Sequence, residues 1–313
     1  MSRLLELLKD GQFHSGQVLG EILGVSRSAV WKRLKQLELE LGLSVHKVPG
    51  RGYRLAAPIL SLCEVDGAGW PVHVLDTVDS TNAEALRLIE RGVVAPFVVV
   101  AERQVAGRGR RGRVWSSPYG QNLYYSAVLR IDGGMRQLEG LSLVVGLAVL
   151  RILRGLGIRQ AGLKWPNDVL VQGRKIAGIL LELVGDPADV CHVVVGVGIN
   201  VNMVSVEGVD QQWSSVRLET GSDIDRNQLI LALNEALQSY LKRFHALGFS
   251  SLQQEWDENH LWQGREVSLI AGENVISGVV LGVDQRGALR LLVDGQEAVF
   301  SGGELSLRLR NDT

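Results

Sequence analysis

The chain has 313 residues, with 33 lysines and arginines against 34 aspartates and glutamates, which gives a formal net charge of −1. This length predicts two or three domains, and the balanced charge excludes a uniformly basic nucleic-acid-binding protein. The two cysteines, Cys63 and Cys191, are too few for a disulfide framework and favour a reducing, cytoplasmic environment.

Membrane insertion is not expected from the sequence. The longest apolar run, residues 141–150, is much shorter than the ~20 residues that a spanning helix needs. The first residues include Glu6 and Asp10 and no small-residue cleavage site, so they do not resemble a secretion signal. We therefore expect a cytoplasmic protein without a membrane partner.

The charges are unevenly distributed, because residues 1–57 carry nine basic and five acidic side chains while the remainder has an acidic excess. In this basic segment the sequence predicts three helices, over residues 3–9, 17–23 and 27–41. Ser15 and Ser26 are expected to cap the second and the third helix. Two helices joined by a short glycine-containing turn are typical of a DNA-binding helix-turn-helix.

The third predicted helix has an apolar face and a basic face. At 100° per residue, its apolar face consists of Val30, Leu34, Leu37 and Leu41. Residues 43–55 then predict a β-hairpin with a basic tip, like the wing that contacts phosphates beside such a helix. The residues expected to contact DNA are Arg27, Ser28 and Lys32 at base edges, and Lys35 and Arg51 on phosphates. The alternative is a small helical domain with a solvated charged face.

The rest of the chain predicts two further domains. A change of composition over residues 58–71 predicts a linker after the head domain of residues 1–57. Strands and helices alternate over residues 72–264, and short strands at close spacing follow over residues 265–313. The sequence therefore predicts an α+β multidomain protein with a central α/β domain and a small C-terminal β-barrel.

The most unusual stretch is AGRGRRGRVW at residues 106–115, which lies between two predicted strands. Glycines allow a backbone to approach a ligand closely, and arginines stay charged at any physiological pH. Such a loop suits an anionic ligand, and polyphosphate in particular. It is neither a Walker A loop nor a dinucleotide-binding loop, since it lacks the spacing of the first and the small residues of the second. A disordered nucleic-acid-binding tail is the alternative, and the flanking strands disfavour it.

Four further polar clusters lie in the same domain, and each has an ordinary structural explanation when taken alone. The cluster of residues 79–82, DSTN, begins a predicted helix, and residues 164–168, KWPND, lie between strands. Lys175 begins an apolar strand, and residues 196–200, GVGIN, end another. In this order, and together with the arginine-glycine loop, the clusters are specific enough to indicate one protein family.

The chain resembles the bifunctional biotin–protein ligases and biotin-operon repressors of bacteria. The resemblance covers almost the whole chain. It rests on SRSAVWKRLKQL (26–37), VPGRGYRL (48–55), DSTN (79–82), AGRGRRGRVW (106–115), KWPND (164–168), KIAGILLEL (175–183), GVGIN (196–200) and GGELSLR (302–308). It implies a winged helix-turn-helix, a central ligase domain with a mixed sheet like that of class II synthetases, and a C-terminal SH3-like barrel.

The resemblance also implies the chemistry. Such proteins form biotinyl-5′-AMP from biotin and Mg-ATP and then transfer biotin to a lysine of a biotin carboxyl carrier protein. Fixed cations would lower the repulsion between a carboxylate and a phosphate in the first step. A ligand-promoted homodimer is implied to bind operator DNA and to repress genes of biotin synthesis.

The implied site residues fall into three groups. Biotin is implied to bind at Ser80, Thr81, Asn82, Gln104, Gly107, Arg108, Arg110, Lys175, Gly196 and Gly198. ATP or the adenylate is implied to bind at Arg110, Arg113, Lys164, Asn167, Asn200 and Trp213. Arg110, Lys175 and Asp168 are implied to be catalytic, and Mg²⁺ is implied to enter with ATP near Asp168, without a site made by protein side chains alone.

Three other functions remain open at this point. The chain could be a monofunctional biotin ligase whose head does not bind DNA. It could be a lipoate-type ligase on the same fold, or a ligand-sensing transcription factor on an inactive ligase fold. The presence of the arginine-glycine loop and of both Lys164 and Lys175 disfavours the last of these.

Overall fold

A computed structural model describes residues 3–56, 58–63, 67, 69–132, 138–185, 190–206, 208–302 and 305–310. Within these residues the chain forms a helical head, a central domain on a seven-stranded sheet, and a C-terminal five-stranded sheet. Gly303 and Glu304 of the GGELSLR motif lie outside the described residues.

The head has the predicted helices and hairpin. Its elements are α1 (Arg3–Leu8), α2 (Gly16–Leu23), α3 (Arg27–Leu41), β1 (Val45–Val48) and β2 (Gly52–Leu55). Ser15 accepts a hydrogen bond from the Val18 amide at 3.1 Å, and Ser26 accepts one from the Ala29 amide at 3.2 Å. Gly24 ends α2 in the left-handed region, at φ 65°, where a side chain would be strained. The predicted helix-turn-helix and wing are therefore confirmed.

The two faces of α3 are also as predicted. Val30, Leu34 and Leu37 are buried in the core of the head. The five residues expected to contact DNA are all exposed, namely Arg27, Ser28, Lys32, Lys35 and Arg51. The Arg51 guanidinium lies 4.4 Å from the centre of the Phe13 ring, which orients this tip residue of the wing.

The central domain is built on a mixed sheet with the strand order β3-β4-β5-β9-β8-β7-β6. Among the described strands of this sheet, β3 and β4 are the only neighbours that run parallel to each other. The strands are β3 (Val72–Val78), β4 (Phe97–Gln104), β5 (Leu123–Asp132), β6 (Ala161–Lys164), β7 (Asp168–Val171), β8 (Arg174–Gly185) and β9 (Val190–Ile199). The helices are α4 (Thr81–Glu90), α5 (Leu141–Gly155), α6 (Val216–Thr220), α7 (Arg226–Leu247) and α8 (Gln253–Glu258).

Helices cover both faces of this sheet. The larger core lies between the sheet and the pair α5 and α7, with side chains such as Val100, Val145 and Leu233. A smaller core lies under α4 on the other face and includes Ala85 and Val99. Two covered faces explain why the strands are almost uniformly apolar instead of alternating.

The C-terminal domain is one antiparallel sheet of five strands with the order β13-β12-β11-β10-β14. The strands are β10 (Glu266–Ala271), β11 (Asn274–Val283), β12 (Leu289–Val293), β13 (Gln296–Phe300) and β14 (Leu305–Leu309). The run QEAVFSGGELSLRL, residues 296–309, contains β13 and β14. This sheet is fastened to the central domain, because the indole of Trp165 donates to the Gly287 carbonyl at 3.1 Å.

The predicted linker is docked on the central domain instead of lying free. The amide of Leu62 donates to Glu102 at 2.7 Å, and the guanidinium of Arg226 donates to the Leu60 carbonyl at 2.8 Å. Glu102 and Arg226 form an ion pair of 2.6 Å, and both side chains are almost completely buried. The linker is thus held by a charge pair that joins β4 to the first residue of α7.

In the described residues, no helix is long and apolar enough to cross a membrane.

Replacing Arg226 by alanine should destabilise the protein strongly. The Glu102 carboxylate would stay buried without its cation, which costs about 3–5 kcal/mol in the free energy of unfolding. Urea unfolding followed by circular dichroism measures this loss. Arg290→Ala is the matched control, because it breaks a partly exposed pair with Glu297 and should cost less than about 1 kcal/mol. Equal losses in both variants would contradict the importance given to the buried pair.

Candidate functional site

Two adjacent pockets open along one face of the central sheet. Pocket A lies between the start of α4, the arginine-glycine loop, β8 and β9. Pocket B lies between the same loop, the KWPND turn, the segment around Trp213, and β14. The residues that line both pockets are Gly109, Arg110, Trp115, Asn167 and Lys175. The two pockets therefore meet at a pair of cations.

Pocket A has a floor of hydrogen-bonded polar side chains. The Thr81 amide donates to Gln104 Oε1 at 2.9 Å, and Gln104 Nε2 donates to the Ser117 hydroxyl at 2.9 Å. The Ser126 hydroxyl lies 2.8 Å from Thr81 Oγ1 and 2.6 Å from Asn82 Oδ1. Ser80 immediately precedes α4, and its hydroxyl makes no capping hydrogen bond to the backbone of that helix. These groups can recognise a polar, uncharged ligand group.

Glycines on β9 allow this floor to form. A Cβ atom at Gly196 would lie 2.4 Å from Asn82 Oδ1, and one at Gly198 would lie 2.5 Å from the Trp115 ring. Both distances are far below van der Waals contact, so any side chain at either position would displace Asn82 or Trp115 from its place in the site. Gly107 has a similar role beside the pocket, since its Cβ would lie 2.9 Å from Gln104 Nε2.

The arginine-glycine loop is a compact turn that is closed by its own backbone. Trp115 N–H donates to the Gly107 carbonyl at 2.9 Å, and Gly109 N–H donates to the Arg113 carbonyl at 2.7 Å. This closure directs Arg110 toward the KWPND turn, where it donates to Asn167 Oδ1 at 2.9 Å. The loop therefore joins the site as an ordered element and is not a tail.

Three cations surround one carboxylate where the pockets meet. Lys175 Nζ lies 2.6 Å and Lys164 Nζ 3.9 Å from the Asp168 carboxylate. Burial lowers the pKa of Lys164 and that of Arg110, while Asp168 opposes both shifts. With Arg110 beside them, the three cations exceed the one carboxylate in charge, so the junction attracts an anion.

Pocket B combines an aromatic side chain with groups from the C-terminal domain. Trp213 lines it, and Lys175 N–H donates to the Gln212 carbonyl at 3.0 Å, which places the tryptophan beside the cations. The side-chain Nδ2 of Asn200 donates to the Ser214 carbonyl at 3.0 Å and so holds this segment in place. Residues 305–307 of β14 complete the lining. The C-terminal domain is thus part of the pocket.

The structure brings the predicted site residues together with one small exception. All predicted ligand-binding and catalytic side chains line pocket A or pocket B, and Gly107 lies just beside pocket A. Several residues of the site were missed, namely Trp115, Ser126, Glu182, Met203 and Leu305–Leu307. Ser126 had a detectable signal, because it is a small polar residue among the apolar and aromatic residues 123–129. The residues of β14 had none, since their approach depends on how the domains pack.

A metal site made by the protein alone is not evident in the described part of the chain. No group of three or more His, Cys, Asp or Glu side chains that could hold a metal ion occurs there. Asp168 is the carboxylate that the two pockets offer to a cation, and it already neighbours two lysines.

Comparison with known families divides the chain as its structure does. Residues 74–200 match the biotin/lipoate A/B protein ligase family, residues 1–54 match a helix-turn-helix domain, and residues 263–308 match the biotin protein ligase C-terminal domain.

Individual relatives are similar over almost the entire chain. The bifunctional ligase/repressor BirA of Escherichia coli (strain K12) is 42% identical and covers 98% of this chain and 96% of its own. The protein of the same name from Bacillus subtilis (strain 168) is 32% identical over 95% of this chain and 96% of its own. A solved structure, the biotin protein ligase from Aquifex aeolicus in complex with biotin and ATP, superposes with a TM-score of 0.67 at 34% identity, covering 76% of this chain and 98% of that chain.

Replacing Arg110 by alanine should weaken the hold on an acyl-adenylate without unfolding the protein. The variant loses a charge-assisted hydrogen-bond donor at the junction of the pockets, which is worth about 1.5–3 kcal/mol. Dissociation of biotinyl-5′-AMP, followed by stopped-flow fluorescence, should accelerate at least ~10-fold. Arg159→Ala is the control, because this exposed arginine lies outside both pockets. An unchanged dissociation rate in the Arg110 variant would exclude its predicted role.

Proposed function

The chain belongs to the biotin protein ligases that carry an N-terminal helix-turn-helix domain, and from this premise we propose that it activates biotin with ATP and transfers it to a lysine of a biotin carboxyl carrier protein. We further propose that the ligand-bound protein dimerises, binds operator DNA and represses genes of biotin synthesis. The observation that carries the enzymatic proposal is the junction of pockets A and B at Arg110 and Lys175.

Each pocket suits one substrate of the first step. Pocket A offers hydroxyl and amide groups for the ureido ring of biotin and an apolar wall along Leu180 and Val197. Pocket B offers Trp213 as a stacking surface for adenine and Arg113 and Lys164 near the phosphates. In this arrangement the biotin carboxylate and the α-phosphate meet between Arg110 and Lys175.

The first reaction joins two anions. A carboxylate oxygen of biotin attacks the α-phosphorus of ATP and forms the O–P bond of an acyl-adenylate. The bond between that phosphorus and the pyrophosphate oxygen breaks, and pyrophosphate leaves. Charge develops on the phosphate oxygens in the transition state, and the guanidinium of Arg110 and the ammonium of Lys175 stabilise it there. Because these cations are fixed by Asn167 and Asp168, little reorganisation is needed as the charge develops.

The second reaction transfers the acyl group. The neutral amine of the acceptor lysine attacks the biotin carbonyl carbon, a C–N bond forms, the C–O bond to AMP breaks, and the amine loses a proton. We propose that Asp168, the carboxylate at the junction, positions the acceptor lysine and accepts its proton. No covalent bond to the protein is required in either step.

Mg²⁺ is proposed to bind mainly through the phosphates of ATP. This ion prefers oxygen ligands and keeps several waters, and the side chains that fit it here are Asp168 and the amide oxygen of Asn167. When bound, it would neutralise phosphate charge.

The head supports the DNA-binding part of the proposal. Its α3 exposes Arg27, Ser28 and Lys32 on one face while its aliphatic face is buried. In helix-turn-helix proteins the corresponding face enters the major groove, and the wing contacts the backbone.

An open sheet edge supports dimerisation and acceptor docking. β7 pairs with β8 only as far as Gly178, whereas β9 follows β8 to Gly185. Residues 181–185 of β8 are therefore paired on one side only among the described strands, and Leu183 there is 47% exposed. An unpaired edge of this kind favours strand addition by another chain. One edge used by both a second copy and an acceptor would make the two partners mutually exclusive.

The ligase proposal is tested by incubating the protein with Mg-ATP, labelled biotin and a biotin carboxyl carrier domain. We expect one labelled lysine per acceptor, and loss of at least ~100-fold in the rate with Lys175→Gln, because a cation at the reacting centre is removed. Lipoate with its own acceptor domain is run in parallel. Transfer of lipoate but not of biotin would contradict the proposal and support the lipoate alternative.

The repressor proposal is tested by gel shifts with DNA from upstream of biotin synthesis genes. We expect tighter binding when biotin and ATP are present, because ligand and DNA binding are linked through the dimer. Lys32→Ala should weaken binding about tenfold, as expected for a base contact, whereas Lys242→Ala, on α7 of the central domain, should not. Binding that ignores the ligand would reject the linkage, and a lack of binding would support a monofunctional ligase.

A further inference from the structure

Glu182 lies next to pocket A without lining it. Side chains at alternate positions of a strand share one face, so Glu182 follows Gly178 and Leu180, which both line the pocket. Its carboxylate accepts a hydrogen bond from Asn82 Nδ2 at 2.7 Å and pairs with the Arg108 guanidinium at 3.1 Å. It is a glutamate in an otherwise apolar stretch of β8, and the proposed reaction gives it no task.

The carboxylate fixes the orientation of the Asn82 amide. An ionised carboxylate only accepts hydrogen bonds, so the NH₂ group of Asn82 must face Glu182 and the oxygen must face away. That oxygen lies 2.6 Å from the Ser126 hydroxyl, and it requires the hydroxyl hydrogen. The single hydrogen of Ser126 is therefore directed at Asn82.

The same constraint continues to Thr81. Its hydroxyl lies 2.8 Å from Ser126 Oγ and 3.1 Å from Gln104 Oε1. Since the Ser126 hydrogen is used by Asn82, the Thr81 hydrogen is used by Ser126 or by Gln104, and both choices leave a lone pair of Thr81 for the ligand. Glu182 thus sets which groups donate and which accept along this series of hydrogen bonds.

We propose that Glu182 is a positioning residue that makes the floor of pocket A accept hydrogen bonds, and so selects a ligand that presents N–H groups, such as a cyclic urea. The inference rests on the proposed function, because the ureido ring of biotin is the group concerned. Without this carboxylate the Asn82 amide could turn around, Ser126 could point either way, and the floor would lose its preference for a donor.

The test compares two ligands in wild type and Glu182→Gln. Glutamine has the size of glutamate but can donate as well as accept, so it no longer fixes Asn82. The dissociation constants of biotin and of biotin methylated on a ureido nitrogen are measured by isothermal titration calorimetry. The methyl group occupies the same space in wild type and variant. A change in the ratio of the two dissociation constants between the proteins therefore isolates the contribution of the hydrogen bond. We expect the preference for biotin to fall about tenfold in Glu182→Gln, with an unchanged melting temperature.

Two further variants separate the routes by which Glu182 could act. Arg108→Gln removes the partner of Glu182 in the loop but leaves the carboxylate on Asn82, so it should weaken both ligands equally and keep their ratio. Glu297→Gln breaks a glutamate–arginine pair in the C-terminal domain and should change neither constant.

The outcomes distinguish this inference from the proposed function. Wild-type protein that fails to bind biotin would overturn the proposed function. Wild-type binding with the same ligand ratio in Glu182→Gln would overturn the inference alone. An equal loss of preference in Arg108→Gln would also overturn it, because the effect would then belong to the loop.

Discussion

The buried ion pair of Glu102 and Arg226 is the interaction on which the arrangement of this molecule depends. A buried charge must keep its partner, so the end of β4, the start of α7 and the linker have to stay together. The two residues that follow Glu102 extend this constraint. Arg103 donates to the Glu40 carbonyl at the end of α3, and Gln104 belongs to pocket A. Three consecutive residues thus contact the linker, the head and the ligand pocket.

The site illustrates how opposite electrostatic demands are met in one small volume. An anionic substrate pair requires an excess of cations, yet Arg110 and Lys164 are buried enough for their pKa values to fall. Asp168 reconciles the two demands, because its carboxylate stabilises the charged forms of its neighbours while leaving the junction positive. The floor of the neighbouring pocket A consists of uncharged polar side chains, and the selectivity that we propose for it comes from the directions of hydrogen bonds.

The fold was predictable wherever the signal was local. Serine caps and a glycine stop define the ends of α2 and α3, and apolar runs mark the strands of the central sheet. The short α6 was missed, since five residues carry no helical periodicity. The contacts of the linker could not be predicted, because its partners Glu102 and Arg226 lie 40 and 166 residues further along the chain. Hydrophobic periodicity relates only neighbouring positions.

By itself, the sequence predicted a basic head, a central α/β domain, a small C-terminal β domain and an arginine-glycine loop suited to an anion. Those predictions need only residue types, spacing and order, whereas the ligase chemistry was implied by the resemblance of the motifs to a known family. Only the tertiary structure decided which side chains meet. Arg110 reaches Asn167 and β14, and Glu182 reaches Asn82, because of the strand order and the register of β8 on β9. A shift of one residue in that register would turn Glu182 to the opposite face, and no local pattern in the sequence records it.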